Sequence, residues 1–217
     1  MRVLVACESS GVVREAFRRR GHEAWSCDLL PAQDGSPFHI QADANFVLNY
    51  PNRVLGGMPR WMREVQWDLL IAHPPCTYLC NSGVRWFTTI PQIQKPGTLY
   101  GDARRLAMAD AAALFLAFLN APIKHIAIEN PIMHCYARQA IGGVTFSQTI
   151  QPWQFGHGEV KRTALWLRNL PNLTPTNIVN GRVARVHREP PSADRWQKRS
   201  VTYQGIADAM AEQWGIL

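Results

Sequence analysis

Cys76 lies directly after two prolines, in the run His73-Pro74-Pro75-Cys76. Prolines favour extended backbone, so this thiol sits on a stiff segment just beyond a predicted apolar strand, Asp68–Ala72. A free cysteine in such a place is either a nucleophile or a small buried apolar side chain, which is its commoner role. The segment by itself leaves both interpretations open.

Glu129 also follows an apolar stretch, His125–Ile128, and precedes Asn130-Pro131. A carboxylate at the end of an apolar strand is costly to bury without a partner, so it is either part of a structural ion pair or catalytic. If both strands belong to one sheet, Cys76 and Glu129 face one cleft. A thiol and a carboxyl group in one cleft suit nucleophilic addition to an electron-poor ring, with proton control at a ring nitrogen.

The elements that must position these groups alternate between strand and helix. Arg2–Cys7 reads as a strand, Val12–Arg20 as a helix closed by Gly21, and Glu23–Cys27 as a second strand that stops at Asp28. The later elements are predicted as a helix at Ala103–Asn120, a strand at Thr163–Leu167 and a helix at Gln204–Trp214. This pattern predicts an open, mostly parallel α/β sheet with helices on both faces and ligands at the carboxyl ends of its strands.

Two stretches lack periodicity and are predicted to be long loops, Pro31–Gln66 and Cys80–Gly101. Both carry proline, glycine and aromatic residues. Loops of this length in a compact domain are usually functional or mobile.

The composition narrows the class of protein. The 217 residues are 47% hydrophobic and 18% charged, which predicts one globular domain over 1–217, and the net charge of +7 favours a polyanionic partner. The five cysteines show no disulfide spacing and no second pair at zinc-finger spacing. No apolar run reaches the roughly 20 residues of a membrane span. We therefore expect a cytoplasmic protein without a metal or a membrane segment.

The order of these motifs resembles that of the DNA cytosine-5 methyltransferases over nearly the whole chain. The matching segments are Ala6–Phe17 (cofactor motif), His73–Cys76 (Pro-Cys motif), Gly101–Arg104, Glu129–Pro131 (Glu-Asn motif), Phe155–Arg162 (basic motif) and Tyr203–Met210 (late cofactor motif). The resemblance implies a Rossmann-like class I fold that uses S-adenosyl-L-methionine. It also implies cytosine flipped out of duplex DNA as the substrate, and a monomeric enzyme is expected.

The resemblance further implies individual roles. Cys76 adds to C6 of the base, Glu129 holds N3 and the exocyclic amine, and Lys161 or Arg162 supports the flipped base. Asp28 binds the cofactor's ribose and Asp43 its adenine. The whole set implied at the cofactor is Cys7, Glu8, Ser9, Ser10, Gly11, Asp28, Leu29, Asp43, Pro75 and Ala207. Because a free thiol is mostly protonated at neutral pH, the site needs a cation, for which Lys161, Arg162 and Arg85 are candidates.

The chain departs from the family pattern in four places. Glu8-Ser9-Ser10 precedes a single Gly11 where the first motif normally has a second glycine. Ala72-His73 stands where Gly-Gly is usual, and Lys161-Arg162 alone represents a longer basic motif. The family's target-recognition domain would lie at Leu170–Thr202, an interval too short for a separate domain, since domains have at least about 50 residues. About 170–202 is therefore a reduced remnant, with Arg182, Arg185, His187 and Arg188 as candidate phosphate contacts.

Two alternatives remain open at this point. The same cysteine and glutamate would serve methylation of cytosine in RNA or in a free nucleotide, which the reduced recognition segment allows. A non-catalytic relative that binds the cofactor or DNA is the second alternative. Comparing methyl transfer to duplex DNA, to RNA and to free nucleotides separates a DNA enzyme from the first alternative. Covalent trapping of the protein on its substrate separates an active enzyme from the second.

Overall fold

The computed structural model describes residues 1–49, 66–190, 192 and 195–217. Within them, one seven-stranded sheet has the order β3-β2-β1-β4-β5-β7-β6. The strands are β1 (Arg2–Ala6), β2 (Glu23–Asp28), β3 (His39–Gln41), β4 (Leu69–Ala72), β5 (His125–Pro131), β6 (Gln148–Ile150) and β7 (Thr163–Arg168). Strands β1 to β5 are parallel, whereas β7 is antiparallel to both β5 and β6. The predicted fold class, an open and mostly parallel Rossmann-like sheet, is confirmed.

Helices cover both faces of this sheet. They are α1 (Val12–Arg19), α2 (Ala44–Asn49), α3 (Gly101–Leu119), α4 (Cys135–Ala140), α5 (Arg185–Arg188), α6 (Arg195–Ser200) and α7 (Gln204–Trp214), with short 3₁₀ helices at Val84–Phe87 and Pro152–Gln154. Helices α1 and α7 pack together over one face, and α2 and α3 cover the other.

The strand sequences explain this layering. Successive side chains of a strand point to opposite faces, and a sheet covered on both sides needs apolar residues at every position. Leu4 and Leu70 accordingly pack towards Phe115 of α3. Val3 and Val5 pack on the opposite side, in the core formed by α1 and α7.

The sheet order reverses where β1 lies beside β4. In open α/β sheets, ligands bind in the crevice at the carboxyl ends of the strands at such a point. The turn after β1 (residues 7–11) and the loop after β4 (residues 73–80) meet there. The fold therefore brings the predicted cofactor turn and the predicted catalytic loop to one edge.

Two sequence predictions need correction. Pro31–Gln66 is not one long loop, because β3 and α2 lie inside it and α2 is capped by Asp43, whose Oδ1 accepts from the Asn45 and Phe46 amides. Residues 50–65 of that stretch lie outside the described residues. Strand β5 does not stop before Glu129 but continues to Pro131, since β7 pairs along its whole length and sets Glu129 opposite Leu165.

The second predicted loop, Cys80–Gly101, consists mainly of turns. Its only regular element among the described residues is the 3₁₀ helix at Val84–Phe87, and α3 begins at Gly101. The Phe87 ring is buried against the rings of His134 and Tyr136, which fixes this part of the loop to the scaffold.

Candidate active site

The loop after β4 is held by side chains that bind its backbone carbonyls. The Asn130 amide donates to the Pro74 carbonyl at 2.9 Å, and the Arg104 guanidinium donates to that of Thr77 at 3.1 Å. The His134 ring bonds the Tyr78 carbonyl at 2.9 Å. These three donors are buried, so their hydrogen bonds are shielded from water. The loop that carries Cys76 is consequently fixed to β5, α3 and α4.

His73 and Glu129 form a close pair beside this loop. The distance from His73 Nδ1 to Glu129 Oε2 is 2.7 Å, and the side chains are only 13% and 12% exposed. Burial alone would raise the pKa of Glu129. The hydrogen bond from His73, the positive charges of His73 and Lys161, and the Thr202 hydroxyl outweigh it and lower the pKa to about 2. Glu129 is therefore an ionised carboxylate at neutral pH.

Lys161 provides the positive charge of the site. Its charge favours the ionised forms of both Glu129 and Cys76, and its Nζ donates to the Val201 carbonyl at 3.3 Å. Arg162 is exposed and makes no hydrogen bond or ion pair with the described residues. Arg85 is exposed and stacks on the Trp86 ring at 4.3 Å. Of the three candidate cations, Lys161 is the one the structure brings to Cys76 and Glu129.

Cys76 shares a hydrogen bond with Cys80, four residues later, across the turn at 77–79. That bond, together with burial, raises the pKa of the Cys76 thiol, and the Lys161 charge acts against the rise. The same bond, the Ser82 backbone amide and the Arg199 charge lower the pKa of Cys80 to about 6, despite partial burial. The two thiols therefore share one hydrogen bond, and ionisation of either one is stabilised by the thiol of the other.

The turn after β1 is built around a buried carboxylate. Glu8 is 5% exposed, and its two oxygens accept the Val13 and Arg14 amides at 2.7 and 3.2 Å. The first turn of α1 is thereby capped by a side chain. Gly11 has a φ of +73°, and a Cβ there would collide with the Arg14 guanidinium. Glycine at this position is required by both the backbone conformation and the close approach.

The residues around this turn form an acidic rim. Asp28, at the end of β2, accepts the Leu30 amide at 3.0 Å through Oδ1. Burial and the charges of Asp28 and Asp43 raise the pKa of the Cys7 thiol, so both carboxylates lie close to it. The same causes raise the pKa of Cys27 to about 12. The predicted positions Cys7, Asp28 and Asp43 therefore share one neighbourhood.

The remaining predicted cofactor positions differ in exposure. The Ser9 hydroxyl and carbonyl are bound by Gln33, and the Ser10 hydroxyl donates to Glu8 at 3.4 Å. Leu29 is 69% exposed and Pro75 is exposed at the mouth of the cleft. Ala207 is fully buried in the core between α1 and α7. Contact between these residues and a cofactor stays a prediction.

Several functional candidates carried no usable pattern in the sequence. In the sequence, His73 stands out only because it replaces a glycine of the family pattern before Pro74. In the structure it pairs with the Glu129 carboxylate, 56 positions away. Thr202 donates to the same Glu129 oxygen at 3.4 Å from 73 positions away. Arg104 matched a motif, but its hold on the catalytic loop depends on how α3 packs. Only the tertiary structure shows these three contacts.

Two general findings concern the described residues as a whole. No group of three or more His, Cys, Asp or Glu side chains there is arranged to hold a metal ion. None of their helices is both long and apolar enough to cross a lipid bilayer.

Comparison with known proteins gives structural neighbours only. No family model matches the chain, and no curated protein is similar to it in sequence. A protein described as a DNA modification methyltransferase encoded within an E. coli prophage aligns at 13% identity and a TM-score of 0.48, over 88% of this chain and 55% of that one. The Entamoeba histolytica methyltransferase EhMeth aligns at 14% identity and a TM-score of 0.46, over 82% and 57%. The chain thus spans little more than half the length of these proteins.

Proposed function

We propose that this protein methylates carbon 5 of cytosine in DNA, with S-adenosyl-L-methionine as methyl donor and Cys76 as nucleophile. The observation that carries the proposal is the placement of three groups at one edge of the sheet. Cys76 lies on the fixed loop after β4, and Glu129 lies on the adjacent strand β5. The charge of Lys161 acts on both.

The residues of the β1 turn fit this cofactor better than a dinucleotide. A dinucleotide places its pyrophosphate on the free amides at a helix N-terminus. Here the Glu8 carboxyl group already accepts two amides of the first turn of α1, so these amides are not free to bind a phosphate. A cationic sulfonium nucleoside has no phosphate, and the Asp28 carboxylate at the end of β2 would accept hydrogen bonds from its ribose. The bound cofactor would supply an electrophilic methyl group.

The residues of the site then divide the chemistry on the base. The Cys76 thiolate forms a bond to C6, which makes C5 nucleophilic and moves electron density to N3. Glu129, held by His73, accepts a hydrogen bond from the exocyclic amine. Once the methyl group is on C5, a solvent water takes up the C5 proton. The C–H electron pair re-forms the C5–C6 double bond, and the S–C6 bond breaks to restore the thiolate. Lys161 favours the thiolate at the start and the end of the cycle.

Covalent trapping tests the proposal. In duplex DNA with 5-fluorocytosine, fluorine replaces the C5 proton that must leave, so the enzyme–DNA adduct should persist. We expect a band stable to denaturation that requires cofactor, disappears in Cys76→Ser and remains in the exposed-site control Cys135→Ser. Trapping by Cys76→Ser but not by Cys80→Ser would move the nucleophile to Cys80.

The substrate is tested in the same assay. Equivalent RNA, and the free fluorinated nucleotide, should give little adduct compared with DNA. If RNA or the free nucleotide gave more adduct than DNA, that molecule would be the substrate, and the proposed addition of Cys76 to C6 would still hold. No adduct with any of the three, together with measurable cofactor binding, would favour a non-catalytic binding protein.

A further inference from the structure

His73 is fixed beside Glu129 by one contact at its backbone and one at its ring. Its backbone amide donates to the Ala6 carbonyl of β1 at 2.9 Å, and its Nδ1 lies 2.7 Å from Glu129 Oε2. The Nε2 atom is buried without a hydrogen-bond partner among the described residues. His73 is thus held by its backbone and by its ring, and the hydrogen-bonded ring nitrogen, Nδ1, points at Glu129.

The charges that face this ring come from several elements. Glu129 approaches from β5, Glu8 from the turn after β1, and Lys161 from the segment before β7. Burial lowers the pKa of His73, but the hydrogen bond and charge of Glu129 and the charge of Glu8 outweigh burial and the Lys161 charge, so the net pKa is raised. The proton between His73 and Glu129 therefore resides on the imidazole.

This arrangement bears on a specific need of the proposed reaction. When a thiolate adds to C6 of cytosine, N3 becomes more basic and has to gain a proton or a strong hydrogen bond. An ionised Glu129 has no proton to give, because its pKa is about 2. The nearest described proton donor to its carboxylate is His73 Nδ1, ahead of the Thr202 hydroxyl at 3.4 Å.

We propose that His73 is a positioning residue that stores the proton taken up by N3 of the base and transfers it through Glu129. This inference rests on the proposed function. As the Cys76 Sγ–C6 bond forms, the His73 Nδ1–H bond breaks and an N3–H bond forms, with Glu129 Oε2 as the intermediate acceptor. Glu129 ends ionised, as it began, and His73 ends neutral. Loss of the thiolate reverses the transfer and restores the imidazolium.

The first test needs no turnover. Histidine ring signals of the cofactor-free protein, followed by NMR against pH, should show His73 titrating above the ordinary value of about 6.5. The signal is assigned by its loss in His73→Asn. In Glu129→Gln the His73 midpoint should fall by about one pH unit or more. An unchanged His73 midpoint overturns the inference alone and leaves the proposed function intact.

The second test isolates the addition step. Exchange of tritium from C5 of cytosine in DNA, without cofactor, reports reversible attack at C6. In the wild type the rate should rise with pH as the thiol ionises and then fall as pH passes through the His73 midpoint, since the imidazolium exists only below it. His73→Asn keeps an N–H donor for Glu129 Oε2 but stores no proton.

The His73→Asn variant distinguishes storage of a proton by His73 from a hydrogen bond that only holds Glu129 in position. If His73 stores the proton, His73→Asn should lower exchange about 10²-fold and lose the alkaline fall. Wild-type exchange with the same alkaline fall in His73→Asn would show that a hydrogen bond alone suffices, and would overturn the inference. Melting curves and cofactor titration of the variant verify that the fold is intact. Absence of exchange and trapping in the wild type would instead overturn the proposed function itself, and the storage role with it.

Discussion

The loop after β4 and the segment 170–202 are built in opposite ways. Residues 73–80 are tied to the scaffold by the buried side chains of Asn130, Arg104 and His134. In 170–202 the described residues are mostly exposed, and the only regular elements among them are the short helices α5 and α6. Isolated bridges, such as Glu159 to Val183, join that segment to the rest of the protein.

The difference matches two different demands. Bond formation at a carbon atom requires reacting atoms in a fixed geometry, so displacement of the loop by about 1 Å is costly. Contact with the phosphates of a polymer is long-ranged and tolerant of position. We therefore expect substitutions in the fixed loop to change the rate of chemistry sharply. Substitutions of exposed side chains between 174 and 190 should change binding in small steps.

The largest effect is expected at the nucleophile. Cys76→Ser replaces the thiol by a poorly ionised hydroxyl, so methyl transfer to DNA should fall about 10³-fold or more. Cofactor affinity, measured by calorimetry, should change little. Residual activity of more than a few per cent would show that the fixed loop does not carry the reacting atom. The contrast between this loop and the segment 170–202 would then lose its chemical basis.

The next effect concerns the tether itself. Arg104 is 4% exposed, donates to the Thr77 and Leu99 carbonyls and lies over the Tyr78 ring. Arg104→Met should free the loop and lower the rate about 10- to 100-fold. It should also destabilise the fold by about 1–3 kcal/mol, because the hydrogen bonds of the buried Arg104 guanidinium to the two carbonyls are lost.

The matched control lies one position further along α3. Arg105 is exposed, and its contacts are weak: 3.8 Å to Asp102, a 3.5 Å hydrogen bond to the Phe87 carbonyl, and two aromatic rings at 5.7 and 5.8 Å. Arg105→Met should therefore leave rate and melting temperature close to wild type. Equal losses of rate in Arg104→Met and Arg105→Met would mean that the positive charge of α3 matters and the hydrogen bonds of Arg104 to the loop do not.

Sequence patterns predicted the long elements well and the short ones poorly. Helix α7 has the predicted bounds Gln204–Trp214, because its apolar residues recur at helical spacing. Strands β3 and β6 have three residues each, too few to show a period, and were not predicted. Helix α4 is capped by His134, which is not among the usual N-cap residues.

The site divides in the same way. The ends of two predicted apolar strands put Cys76 and Glu129 at one edge of a sheet, and the parallel pairing of β4 with β5 brings these two strand ends together. The partners that tune them could not be predicted, since His73 and Thr202 reach Glu129 from distant parts of the chain. The order of strands and helices along the chain is enough to predict which strand ends meet. Which polar atoms then form hydrogen bonds depends on how the side chains pack, and the sequence pattern does not show that.

A moderate effect is expected at the acidic rim. Asp28→Ala removes the carboxylate proposed to bind ribose, so cofactor binding should weaken by about 1.5–3 kcal/mol, the range of a hydrogen bond to a charged group. Asp68→Asn is the matched control, because Asp68 binds the Arg2 amide just before β4, at the opposite edge of the sheet. Calorimetric titration of both variants measures the difference. Unchanged affinity in Asp28→Ala would remove Asp28 from the cofactor site.

The smallest effect is expected in 170–202, and it tests whether that segment meets DNA through its charges. Arg188 is exposed and has no ion pair with any described residue, whereas Arg185 binds the buried Glu159. A contact with one phosphate contributes about 0.9 to the slope of log K against log salt. Arg188→Gln should therefore reduce that slope by about one, and weaken binding equally for DNA of different sequences. Fluorescence anisotropy over a range of salt concentrations measures both quantities. A loss confined to one sequence would show that 170–202 reads bases, and the contrast between a fixed catalytic loop and a purely electrostatic segment would no longer hold.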